Sequence, residues 1–170
     1  MKGYVQVYTG NGKGKTTASL GLALRALGAG LKVCIIQFMK QGNYSEIKAF
    51  AGFDNVCIEQ YGAGKFVKGR PSEAEKKACA KGYQRLCQVL ESGAYDVVVA
   101  EEANVACMCG LISEADLIYL VSIRPSHVEL VVTGRGAPKG LLDQADLVTE
   151  MTEIRHYYKQ GVAARVGIEK

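Results

Sequence analysis

Two kinds of segment alternate along this chain. Short apolar runs rich in β-branched residues, typical of strands buried on both faces, are separated by longer stretches whose apolar residues recur every three or four positions, as in amphipathic helices. The predicted strands are Tyr4–Tyr8, Lys32–Phe38, Val56–Gln60, Tyr95–Ala100, His127–Thr133 and Leu147–Thr152. This alternation predicts an α/β fold of three layers, in which helices cover both faces of a mainly parallel sheet.

Three helices are predicted, over Lys15–Gly28, Ser72–Glu91 and Ser113–Ile123. The last two each begin with a serine that an acidic residue follows three positions later, which is a capping box. No linker, internal repeat or low-complexity segment interrupts the alternation of elements. We therefore expect residues 1–170 to form a single domain, with residues 155–170 as a C-terminal arm or hairpin.

Composition narrows the class of protein. Of the 170 residues, 48% are hydrophobic and 22% are charged, and the net charge of +4 is too small for a dedicated nucleic-acid binder. No apolar run reaches the length of a membrane span, and the chain opens without an apolar signal segment. The six cysteines then favour a reducing compartment. We expect a cytoplasmic protein that binds neither nucleic acid nor membranes.

The clearest chemical motif follows the first predicted strand and reads Thr9-Gly10-Asn11-Gly12-Lys13-Gly14-Lys15-Thr16-Thr17. It matches a Walker A loop, with Thr9 where the first glycine usually stands. Its glycines let backbone N–H groups turn around phosphate oxygens, and the following helix adds the partial positive charge of its N-terminus. Lys15 is predicted to reach the outer phosphates and Thr16 to bind Mg²⁺. The motif predicts a nucleoside triphosphate site.

Two further predicted strands end in residues that suit such a site. Glu101 and Glu102 follow an apolar strand, so either of them can supply the Walker B carboxylate that holds the metal. Arg135 stands between two glycines after another strand, where an α/β sheet places its ligand contacts. A guanidinium at that position suits a terminal phosphate.

Taken together, these motifs resemble the P-loop type of ATP:corrinoid adenosyltransferase, and the resemblance runs in order along nearly the whole chain. The segments that carry it are Tyr8–Thr17, Leu22–Ala26, Gln37–Lys40, Glu102–Asn104, Arg124–Pro125, Thr133–Pro138, Ala145–Met151, His156 and Gly161–Ala164. The resemblance implies a RecA-like P-loop NTPase fold and MgATP bound in an unusual way. The Co(I) of a reduced corrinoid attacks the ribose C5′ and inorganic triphosphate leaves, in the biosynthesis or salvage of the vitamin B12 coenzyme adenosylcobalamin.

The resemblance also implies roles and partners. Thr16, Glu102 and Glu101 would hold Mg²⁺, or Mn²⁺ in its place, and a flavoprotein-type electron donor and a second copy of the chain are the implied protein partners. The implied catalytic residues are Lys15, Thr16, Glu102 and Arg135. The implied binding residues are Gly10, Asn11, Gly12, Lys13, Gly14, Lys15, Thr16, Thr17, Arg25 and Phe66.

The chain departs from the family pattern in two places. Glu101 stands where many relatives have an aspartate, so its carboxylate reaches further. The segment Tyr61–Gly69 holds Phe66 but no tryptophan, whereas some relatives use a phenylalanine and a tryptophan there to displace the lower axial ligand of the corrinoid. The same segment begins a basic stretch, residues 65–85, which is either a solvated helix face or a surface for an acidic electron donor or an anionic corrinoid group.

Three other functions could use the same loop. A RecA-like NTP-hydrolysing ATPase would need loops that engage a nucleic-acid strand, for which 170 residues leave little room. A small-molecule kinase would need a lid that binds the phosphate acceptor. A non-catalytic ATP-binding regulator would need neither such a lid nor loops that engage a nucleic-acid strand. The sequence offers no clear protein nucleophile or general base, since His127 opens a strand and His156 lies in the tail. That favours a reaction in which the substrate brings the nucleophile.

Overall fold

A computed structural model describes residues 2–63 and 69–169, and within them the strands form one sheet in the order β3-β2-β4-β5-β1-β6. The strands are β1 Val5–Thr9, β2 Val33–Phe38, β3 Val56–Tyr61, β4 Val97–Glu101, β5 Glu129–Thr133 and β6 Leu147–Glu150. Every pairing between them is parallel. The predicted α/β class and all of the predicted strands are confirmed. Because parallel strands share one direction, all of their carboxyl ends meet at the same edge of the sheet.

The helices confirm the long predicted segments and add shorter ones. They are α1 Lys15–Gly28, α2 Ser45–Phe50, α3 Glu73–Ser92, α4 Ala103–Met108, α5 Glu114–Ile123 and α6 Lys139–Leu142. Ser72 and Ser113 cap α3 and α5 in complete capping boxes, as predicted. The sequence did not predict α2, α4 and α6, because one or two turns are too short for an apolar period to be recognised.

Helices cover both faces of the sheet, which confirms the three layers. One face packs against α1 and α2, where Ala23, Leu27 and Phe50 meet side chains of the strands. The other face packs against α3, α4 and α5, where Leu86 and Leu117 are fully buried. Alternate residues of each strand point to opposite faces, so both layers bury apolar residues from the same strands.

The chain after β6 folds back onto the loop that follows β1. The Met151 N–H donates to the Thr9 carbonyl at 2.9 Å, and the Gly12 N–H donates to the Met151 carbonyl at 2.6 Å. A short 3-10 helix, Tyr157–Gln160, lies within the predicted arm, and the structure assigns no strand between residues 155 and 169. In the part of the chain that the structure describes, no helix is long and apolar enough to cross a membrane.

Candidate nucleotide site

The Walker A segment forms the loop between β1 and α1, and its glycines are needed for two reasons. Gly10 and Gly14 adopt φ angles of +94° and +120°, a region that strains other residues. A Cβ atom on Gly10 would lie 2.4 Å from the Met151 carbonyl oxygen, and one on Gly12 would lie 2.7 Å from it. The backbone of the loop therefore keeps its curvature only with small residues at these positions.

Lys15 is folded into this loop. Its side chain is buried, and its ammonium donates to the carbonyls of Gly10 and Gly12, both at 2.7 Å. The pKa of Lys15 is lowered. Burial is the main cause and the charge of Arg135 adds to it, while the charge of Glu102 opposes both. The loop thus encloses a cation at the place where a Walker A loop receives phosphates.

Glu101, the last residue of β4, is the centre of a buried polar cluster. Its side chain is fully buried, and its Oε1 atom accepts hydrogen bonds from the Thr16 hydroxyl at 2.6 Å and from the Lys40 ammonium at 2.7 Å. Its Oε2 atom accepts from the Gln37 amide at 2.6 Å. Burial lowers the pKa of Lys40, but the charge and hydrogen bond of Glu101, aided by Glu46, outweigh burial and raise it.

Glu102 lies beside this cluster but does not bond Thr16. Its φ of +60° turns the backbone into the left-handed region, and its N–H donates to the Thr133 hydroxyl at 3.1 Å. Burial and the charge of Glu101 raise the pKa of the Glu102 carboxyl, against the effect of Lys40 and Lys15. The resemblance names Glu102 before Glu101 as the carboxylate that would hold Mg²⁺ together with Thr16. In the structure Thr16 contacts Glu101 instead, because β4 ends at Glu101 and the chain turns sharply after it.

Arg135 faces the mouth of the phosphate loop from the end of β5. It lines a cleft of about 460 Å³ together with Asn11, Glu150, Thr152, Glu153 and Lys159. Gly134 before it has a φ of +130°, and its carbonyl accepts a hydrogen bond from the buried Asn104 amide at 3.2 Å. The strand end therefore sets the position of Arg135, and the exposed guanidinium is free to meet a ligand.

The structure does not bring every predicted residue to this loop. Arg25 is exposed in the last turn of α1, ten residues beyond Lys15 and so about 15 Å along the helix, and it is not part of the cluster. Thr17 is exposed in the first turn of α1, and the ammonium of Lys13 donates to the Ile168 carbonyl at 3.2 Å. Phe66 lies outside the described residues.

Five residues of the site have no role predicted from the sequence, although all of them lie in the segments that carry the family resemblance: Gln37, Lys40, Asn104, Thr133 and Met151. One signal could have found the first two. They stand at and just beyond the end of the predicted strand Lys32–Phe38, and the strand that ends at the acidic pair is predicted to share its sheet. Because the carboxyl ends of parallel strands meet, polar side chains there are expected near the metal carboxylate.

The residues around Thr16 fit a magnesium ion. The Thr16 hydroxyl and the Glu101 carboxylate bring two hard oxygen ligands within 2.6 Å of each other. Mg²⁺ keeps several waters and takes one or two carboxylates plus the phosphates of its substrate. Among the described residues, no group of three or more His, Cys, Asp or Glu side chains could hold a metal by itself. The site suits a metal that arrives with a nucleotide.

Comparison with known proteins gives a consistent result. The model of the family described as "ATP:corrinoid adenosyltransferase BtuR/CobO/CobP" matches residues 1–169. The "Corrinoid adenosyltransferase" of Pseudomonas aeruginosa is 32% identical over 170 residues, which cover 99% of this chain and 84% of that protein. The "Corrinoid adenosyltransferase CobA" of Salmonella typhimurium is 32% identical over 168 residues, covering 99% and 86%, and the Escherichia coli K12 protein is 30% identical with the same coverage.

Proposed function

This chain belongs to the ATP:corrinoid adenosyltransferase family, and we propose that it transfers the 5′-deoxyadenosyl group of ATP to the Co(I) of a reduced corrinoid. It is a transferase of cobalamin biosynthesis or salvage. In the proposed step the cobalt supplies both electrons of the new Co–C bond. The ribose C5′–O bond breaks, and inorganic triphosphate leaves with that bonding pair.

The observation that carries the proposal is that two cationic side chains lie at the phosphate loop, while both histidines of the chain form hydrogen bonds away from it. Lys15 lies inside the loop and Arg135 faces its mouth. A ring nitrogen of His127 contacts the Gly93 carbonyl at 3.1 Å, and His156 accepts a hydrogen bond from the Tyr158 N–H at 3.1 Å. A cobalt nucleophile needs no protein nucleophile. The protein then has to align C5′ for attack and stabilise the charge that grows on the triphosphate.

We assign the binding of Mg²⁺, or of Mn²⁺ in its place, to Thr16 and Glu101, with Glu102 next to them. When bound, the ion would neutralise charge on the triphosphate oxygens. The Gly12 N–H already donates to the Met151 carbonyl, so the backbone N–H groups of residues 13–16 would bind the same oxygens, and Arg135 would meet them from the cleft. Because the loop holds the leaving group, these residues stabilise the product triphosphate as it forms.

The remaining partners are proposals that rest on the family. We expect a second copy of the chain, which the exposed edge strand β6 supports, since Leu147 and Val148 are 44% and 46% exposed there. We also expect a flavoprotein-type electron donor that reduces the corrinoid. On the described part of the basic stretch, Lys77 and Lys81 are exposed on α3 and suit an acidic partner, while Lys76 already pairs with Glu73 at 2.7 Å.

The test of the function is to identify the phosphate product. The protein is given ATP, Mg²⁺ and a chemically reduced corrinoid, with corrinoid-free and ATP-free reactions as controls. We expect one triphosphate for each light-sensitive Co–C bond formed. ADP and phosphate released without any dependence on the corrinoid would contradict the proposal and identify an ATPase, and ADP with a phosphorylated acceptor would identify a kinase.

A further inference from the structure

The ammonium of Lys40 lies beside the buried Glu101 carboxylate, which needs a positive charge next to it. Lys40 follows β2, and its ammonium lies 2.7 Å from the Glu101 Oε1 atom, the same oxygen that the Thr16 hydroxyl contacts. The Glu101 side chain is fully buried, and a buried carboxylate requires a partner of opposite charge. Thr16 and Glu101 are the residues that fit Mg²⁺, so Lys40 is bonded to the oxygen that the metal would use.

Lys40 also has a second acceptor within reach. Its ammonium lies 3.8 Å from the Glu46 Oε1 atom, and it lies over the ring of Tyr44, 5.2 Å from the ring centroid. The side chains of Lys40 and Glu46 are each only 17% exposed, so the pair is largely shielded from water. A short movement of the ammonium would transfer it from Glu101 to Glu46 with its charge still paired.

A second set of hydrogen bonds keeps Glu101 in place without Lys40. The Gln37 amide donates to Oε2 of Glu101 at 2.6 Å and accepts a hydrogen bond from the Gln60 amide at 3.0 Å. Gln60 in turn accepts from the Gly42 N–H at 3.0 Å. All three groups are neutral, and Gln37 binds the Glu101 oxygen that Lys40 does not contact, so the carboxylate stays oriented when the ammonium leaves.

We propose that Lys40 is a positioning residue that takes the place of the metal: it pairs with Glu101 while the site has no divalent ion, and moves to Glu46 when Mg²⁺ binds between Thr16 and Glu101. This inference rests on the proposed Mg²⁺–ATP site. Lys40 and the metal therefore compete for one carboxylate oxygen. The competition lowers the affinity for a free ion, while Glu46 lessens that effect by accepting the displaced ammonium.

The test measures metal binding by the nucleotide-free protein. Mn²⁺ is titrated in, and the free ion is followed by electron paramagnetic resonance. Lys40→Met is expected to bind Mn²⁺ about tenfold more tightly than the wild type, because no ammonium competes for Glu101. It is also expected to melt at a lower temperature without metal, and Mg²⁺ should restore most of that loss. Lys32→Met removes an exposed lysine at the opposite edge of the sheet and should change neither result.

Glu46→Gln provides an independent arm if Lys40→Met does not fold. It removes the second acceptor, so Mn²⁺ should bind a few-fold more weakly than to the wild type. Unchanged or weaker Mn²⁺ binding by a folded Lys40→Met variant, or unchanged binding by Glu46→Gln, would overturn the inference. These readouts use no corrinoid and no turnover. Failure of adenosyl transfer with the Mn²⁺ results as expected would therefore contradict the proposed function alone.

Discussion

Lys15 illustrates how the phosphate loop itself orients one of its side chains. Its ammonium donates hydrogen bonds to two carbonyls of the loop, so the lysine side chain is ordered and directed inward. A phosphate that enters the loop can exchange those carbonyls for its own oxygens, with little further ordering of the lysine. The residue is therefore placed to act on the leaving triphosphate, where charge increases during the proposed reaction.

Replacing Lys15 by alanine is expected to reduce the rate of adenosyl transfer at saturating ATP by about 10²-fold or more, because a preorganised charge next to the leaving group is lost. The rate is measured from the appearance of the light-sensitive Co–C bond. Lys32→Ala, at the opposite edge of the sheet, is the control and should keep the wild-type rate. Turnover of Lys15→Ala close to that of the wild type would contradict the role assigned to this lysine.

Helix α3 shows at the level of elements how tightly a layer can pack on the sheet. Gly82 lies in the middle of α3 and faces the ends of β2 and β3. A Cβ atom there would lie 2.7 Å from the Tyr61 Cβ atom and 3.0 Å from the Phe38 ring. The glycine is therefore required by the approach of the helix to the strands and not by its own backbone conformation.

Gly82→Ala is expected to lower the free energy of unfolding by about 1–3 kcal/mol, because overpacking outweighs the better helix propensity of alanine. Gly21→Ala is the matched control in α1, where a Cβ atom would meet nothing within 4 Å. That variant should gain about 0.5–1 kcal/mol. Urea denaturation of both variants checks the result, and a stabilised Gly82→Ala protein would show that α3 can shift away from β3.

Elements differ in how well the sequence predicts them. The helices α1, α3 and α5 were predicted because each is long enough to show a period, and two of them carry capping boxes. The helix α4 is different, since Glu102 at its start has a left-handed backbone that no local pattern announced. That turn separates the two carboxylates of the acidic pair. The sequence therefore predicts both carboxylates, but it does not show that Glu101 and not Glu102 contacts Thr16.

Across the whole molecule, the C-terminal arm connects Ile168 and Glu169 to the phosphate loop. Lys13 donates to the Ile168 carbonyl and lies 3.7 Å from the Glu169 carboxylate. Glu169 also bonds Arg165 and Tyr157, which lower the pKa of its carboxyl to about 2. The carboxylate is therefore charged through the neutral and mildly acidic range. Its pairing is lost only as the pH falls toward 2.

Because a nucleotide and the arm both attract Lys13, Glu169→Gln is expected to raise the affinity for MgATP by up to a few-fold. Calorimetric titration measures this affinity, and the gain should be the same at pH 6 and pH 8, since Glu169 is charged at both. Asp143→Asn breaks the exposed pair between Lys139 and Asp143 on α6 and is the control. Weaker binding of MgATP by Glu169→Gln would mean that the arm supports the nucleotide and does not compete with it.

The α/β class, the phosphate loop and the residues that suit a triphosphate can be predicted from the sequence alone. These properties are local, since glycine conformations, strand and helix periods and helix caps depend on neighbouring residues. The contact of Glu101 with Thr16, the pairing of Lys40 with the same carboxylate and the distance of Arg25 from the loop become visible only in three dimensions. Those outcomes depend on which strand ends lie side by side and on where a single backbone turn directs a side chain, and residues far apart in the chain set both.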